Sequence, residues 1–105
     1  MSIDSASDQE IEQYRREQVQ ELAGEHGADW MKKYRPGSAG CHELLDRTAM
    51  LANIVESHIL EHPACVARPD WYQLAQQAVA ALNDLYQQVG GEHLSAENPG
   101  EGDVG

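Results

Sequence analysis

From Cys41, the positions Cys41, Leu44, Thr48, Leu51, Val55, His58 and His62 follow one another at alternating steps of three and four. That spacing places them along one side of an α-helix and excludes a strand, in which sides alternate every second residue. Leu45, Ala52 and Ile59 widen the stripe, while Met50 and Ile54 point elsewhere, so the helix has apolar groups to bury on more than one face. Pro63 ends it, because the residue before a proline is pushed out of the helical region. After the connection "PACVARPD", Pro69 and Asp70 suit a helical first turn. Trp71, Ala75, Ala78, Leu82, Leu85 and Val89 then repeat the three-four rhythm, with Leu74 and Tyr86 alongside. Gly90-Gly91 predicts the stop. Two helices of about 30 Å joined by a short loop predict an antiparallel hairpin over 41–90.

A third helix is predicted upstream. "SDQE" at 7–10 has the form of a capping box, and Ile11, Tyr14, Gln18 or Val19, and Leu22 share a face of the helix that follows, ending near Gly24 or Gly27. "ADWMKKYR" could prolong helical structure to about Tyr34 before "RPGSAG" breaks it. The fold class is therefore all-α: an N-terminal helix plus a long hairpin in one domain, residues 8–91. Residues 1–7 and the acidic, glycine-rich 92–105 are expected to be disordered. A lone hairpin cannot bury apolar groups on several sides, and domains this small are marginal. The N-terminal helix must pack on it or copies of the chain must pack together, and both are expected.

Composition sharpens this. Leu, Ile and Val number 19 of 105, a share approaching that of disordered chains, but 13 of them fall between Cys41 and Val89. The net charge of −11 owes −3 to residues 1–10 and −4 to residues 92–105, leaving −4 for the rest. A polymer of DNA or RNA needs a basic face to displace counterions, so such a partner is not expected. Small anionic ligands and protein partners remain open. The opening "MSIDSASDQE" lacks the apolar core of a secretory signal, and no apolar run approaches the ~20 residues of a membrane span, so a cytoplasmic location is expected. If one helix carried both Cys41 and Cys65, roughly 36 Å would separate them, far beyond disulfide reach, so two free thiols are expected.

Little in the chain suits catalysis. "HILEH", residues 58–62, matches the H-x-x-E-H of inverted zinc peptidases, and His58 and His62 share a helix side in a way that suits zinc. Such an enzyme also needs a distant third ligand and a large cleft, for which the 43 residues after His62 leave little room. Polar groups at a helix end meet the dipole well without any metal, so His58 and His62 stand only as a candidate metal site, helped by Cys65 or a partner chain. No Glu-x-x-His, nucleophile elbow or phosphate-cradling glycine loop is present. No enzyme activity and no cofactor is expected.

Binding features are clearer. "DWMKKYR" gathers three of the chain's seven cations, Lys32, Lys33 and Arg35, between Trp30 and Tyr34. Aromatic planes stack on bases and cations meet phosphate, so these five residues are a candidate anionic-ligand site. The structural alternative is that the two aromatics are core while the cations stay solvated. His42 with Asp46, and Glu43 with Arg47, are spaced for surface ion pairs, but "CHELLDR" also offers a polar interface built on His42, Asp46 and Arg47. The outer face of the last helix, including Gln73 and Gln77, is nearly uncharged and suits a polar contact with another protein.

The pair "LLDRTAMLANIVESHIL" and "WYQLAQQAVAAL", two helices across a short loop with small residues in the second, resembles a family of small phage-encoded helical sponge proteins that sequester cyclic oligonucleotide signals of antiviral defence. The resemblance covers about 50 residues. It implies an oligomer with ligand held between subunits by cations and aromatics, a part that only "DWMKKYR" could play here. No ligand-binding residue of that family maps onto a specific position of this chain, and its acidic ends and proline-rich loop depart from the family's pattern. The expected function is a small, non-catalytic binding or interaction protein that self-associates through its hairpin. The alternatives are a sponge for small anionic nucleotide signals and a metal-binding protein using His58 and His62.

Overall fold

The computed structural model describes residues 7–97 and is all-α, with no strand among them. The chain divides into two compact units, Met1–Lys33 and Tyr34–Gly105. The expected domain over 8–91 takes in parts of both. The expected disorder of 1–6 and 98–105 concerns positions outside the described residues.

In the first unit, helix α1 spans Asp8–His26. Its start is the predicted capping box: the Ser7 hydroxyl accepts from the Glu10 N–H at 3.1 Å and donates to the Glu10 carboxylate at 3.3 Å. Gly27, at φ +96°, ends it by donating its N–H to the Ala23 carbonyl. The Arg15 guanidinium bonds Glu12 at 2.6 Å and holds that carboxyl below the usual carboxylate range. Val19, Leu22 and Ala23 are half-buried, whereas Ile11 and Tyr14 stay exposed. A 3₁₀ turn, Trp30–Lys33, lies against α1.

The second unit is the hairpin. Helix α2 spans Ala39–Val55, capped by the Ser38 hydroxyl accepting from the Cys41 N–H. It runs into a π-helical turn, Glu56–Leu60, in which the Glu61 N–H reaches back five residues to the Glu56 carbonyl. His62 is extended (φ −66°, ψ 134°), as a residue before proline must be. The short helix α3, Pro63–Val66, turns the chain, and α4 returns as Pro69–Glu97. One end of the core is Leu60, Cys65, Ala75 and Val79, with Val55 packed on it. Toward the other end Cys41, Leu45, Thr48 and Ala52 are buried. Thr48 satisfies its hydroxyl on the Leu44 carbonyl at 2.8 Å. Both cysteines are free, on different helices.

Two expectations are corrected. The inner line of α2 is Cys41, Leu45, Thr48 and Ala52. Leu44 and Leu51, expected on it, are each 47% exposed, whereas Leu45 and Ala52 keep 8% and 6%. Both lines have helical spacing, and only the partner helix decides which faces inward. The second correction is Gly90-Gly91, which do not stop α4. The helix continues to Glu97 and takes in the first residues of the predicted tail. Two mid-helix glycines cost about 2 kcal/mol relative to alanine. Close approach does not require them: a Cβ on Gly90 would make ordinary contact with a Leu45 methyl at 3.5 Å, and one on Gly91 would meet nothing within 4 Å. Beyond them, His93 is fully buried.

Candidate functional site

The basic-aromatic segment falls across the boundary between the units. Trp30, Lys32 and Lys33 belong to the first, Tyr34 and Arg35 to the second. Trp30 is half-buried and opens the 3₁₀ turn. Lys32, Lys33, Tyr34 and Arg35 are exposed. The Lys32 ammonium stands 3.9 Å from the Asp29 carboxylate, with both groups well out in solvent, a contact worth little by itself.

At the closed end of the hairpin, His58, Ile59, His62, Cys65, Trp71 and Leu74 line a groove of about 530 Å³. The π-helical turn carries His58 and Ile59 to it, and α4 supplies Trp71 and Leu74. His62 is already engaged: as the cap of α3, its Nδ1 accepts from the Ala64 N–H at 3.0 Å. Only Nε2 would then face a ligand. The groove thus brings the two histidines of "HILEH" together with Cys65. Among the described residues, however, no group of three or more His, Cys, Asp or Glu side chains is placed to hold a metal ion. Trp71 carries the Arg68 guanidinium over its ring at 4.4 Å, and Arg68 is in turn fixed by two bonds to Asp70, 3.0 and 3.2 Å long.

The open end of the hairpin holds a feature that sequence reasoning missed. The His93 ring is fully buried, and its Nδ1 accepts the Gly37 N–H at 2.9 Å. An accepting Nδ1 places the ring proton of the neutral imidazole on Nε2. His42 lies against it, ring centres 5.4 Å apart, and His42 Nε2 is 3.3 Å from Asp46. Gly37 itself is at φ +91°, and a Cβ there would come within 3.1 Å of the Ala96 Cβ. The signal was available: Leu82, Tyr86, Val89 and His93 continue the three-four rhythm straight through the glycines. Gly37→Ala meets both a left-handed backbone and a close neighbour. It should cost about 1–3 kcal/mol, lowering the midpoint of thermal unfolding by roughly 5–15 °C in a circular-dichroism melt.

The remaining candidates are surface groups. Arg47 pairs with Glu43 at 3.4 Å, and His42, Asp46 and Arg47 are all exposed at the start of α2. Gln73 and Gln77 are exposed on α4. No described helix is long and apolar enough to cross a membrane. No protein-family model, curated protein or solved structure matches the chain.

Proposed function

We propose that this chain is a small, non-catalytic binding and interaction protein of the cytoplasm that self-associates through its hairpin. One observation carries this reading: Leu44 and Leu51 on α2, and Leu74 and Leu85 on α4, are each about half exposed in the single chain. Isolated surface leucines are ordinary, but large apolar side chains repeated along both helices of one small unit mark a contact surface. Sedimentation velocity on the untagged protein at micromolar concentration tests it. Self-association predicts a species heavier than the 11.6 kDa chain, and a strict monomer at every concentration refutes it.

A second reading, capture of a small anionic nucleotide, is supported by one observation. Lys32, Lys33 and Arg35 are each exposed and stand next to Trp30 and Tyr34 in the sequence of a chain of net charge −11. Lys32→Glu with Lys33→Glu should weaken binding of a cyclic dinucleotide at least about 10-fold, because two charge-assisted phosphate contacts are reversed in sign. Isothermal titration calorimetry would read the change. Equal binding by the variant and the parent removes this segment from the ligand site.

A further inference from the structure

We infer that the side of the hairpin carrying Leu44 and Leu51 of α2 with Leu74, Ala78 and Leu85 of α4 seats the same side of a second copy, closing two hairpins into a four-helix bundle. The inference rests on the reading of the chain as self-associating and names the surface and the partner.

The geometry starts from the inner lines. On α2 that line is Cys41, Leu45, Thr48 and Ala52; on α4 it includes Ala75 and Val79, with Leu82 half-buried one turn on. At about 100° per residue, Leu44 and Leu51 lie roughly 70–90° to one side of the α2 line. Leu74, Ala78 and Leu85 lie roughly 70–110° to one side of the α4 line, in the same rotational sense along the chain. Because the helices run antiparallel, equal rotational senses bring the two outer stripes onto the same side of the hairpin. At the closed end the two arms meet along a groove that His58 and Ile59 share with Trp71 and Leu74. The opposite rotation leads to polar groups on both helices: His42, Asp46 and Asn53 on α2, and Gln76, Asn83 and Gln87 on α4, all exposed. The first side is the more apolar of the two, and on the second only Tyr72 and Leu94 of α4 add large exposed apolar groups among the polar ones.

Three features select a second copy as the occupant. The outer stripes keep heptad spacing: Leu44, Leu51 and His58 step by seven, and so do Leu74 and Ala81, and Ala78 and Leu85. That is the rhythm by which helices of a bundle meet. Large and small residues also alternate on the α4 stripe. Leu44 and Leu51 project from α2, and Ala78 and Ala81 leave room between Leu74 and Leu85 on α4, so an α2 of one copy fits an α4 of the other. Finally, the area is adequate. Two helices about 10 Å wide and about 30 Å long present roughly 600 Å² in projection, or roughly 1,200 Å² for two copies, where specific interfaces begin.

Native mass spectrometry and sedimentation of the full chain test this with two double variants. The parent is expected at twice the 11.6 kDa chain mass. Leu51→Lys with Leu85→Lys should shift it to the monomer while the helical circular-dichroism signal is kept, because both positions are already half exposed in the single chain. Gln73→Lys with Gln77→Lys, on the amide-rich face, should leave the dimer intact. If the lysine pair loses helicity, Leu51→Gln with Leu85→Gln, which adds no charge, is read in its place. A monomeric parent overturns both this inference and the self-association reading. An oligomer that survives the Leu51/Leu85 changes, or that dissociates on the Gln73/Gln77 changes, overturns the assigned face and leaves self-association standing.

Discussion

Val79→Asp should unfold the hairpin. Val79 is 3% exposed and belongs to the cluster of Leu60, Cys65 and Ala75 that closes the turn between the arms. A carboxylate placed there loses its water, and none of the side chains clustered around it carries a charge. An unpaired buried ion costs several kcal/mol even after relaxation, comparable with the ~5–15 kcal/mol that holds a whole domain together. The expected result is loss of the cooperative urea transition seen at 222 nm, with Ala80→Asp, one residue along and exposed, close to the parent. A transition unchanged by Val79→Asp would mean that the core lies elsewhere.

His93→Ala should be the next most damaging substitution, at about 2–4 kcal/mol. The Gly37 N–H would lose its acceptor; Gly37 itself is exposed, so water offsets part of the roughly 1 kcal/mol of that bond. Removing a fully buried ring also leaves a cavity that the surrounding helices fill only in part. His93→Gln, whose amide oxygen can accept, should recover a portion of the loss. Urea midpoints of the three proteins give the comparison. Equal stabilities would show that the contact between the start of α2 and the end of α4 contributes nothing.

Much of the fold was legible because its signals are local. Ser7 and Glu10 form the predicted capping box, and Pro63 ends the helical run through the conformation it imposes on His62. What was misread depends on the partner helix. Leu44 and Leu45, like Leu51 and Ala52, sit side by side in apolar stripes of equal periodicity, and a single sequence does not rank them. Inward position is set by the opposing arm, which presents Ala75 and Val79. Gly90-Gly91 carry a strong local stop signal that the burial of His93 beyond them overrides. The π-helical turn at Glu56–Leu60 has no recognisable signature, so "HILEH" looked like an ordinary helical pair. For the candidate sites, the clustering of "DWMKKYR" was visible, but the division between Lys33 and Tyr34 was not, since it reflects tertiary contacts rather than composition.

The bond from the Gly37 N–H to His93 joins positions 56 residues apart, and it makes one backbone amide a reporter for the hairpin. Amides inside α2 or α4 are protected by partners four residues away and can exchange with deuterium through fraying of a single turn. Gly37 exchanges when its bond to the buried His93 ring opens, and parting of the end of α4 from the turn before α2 is the motion that breaks it across 56 residues of sequence. Its protection factor therefore measures the free energy of that separation, and a protein that pairs with a second copy through the neighbouring face should slow this one resonance as concentration rises.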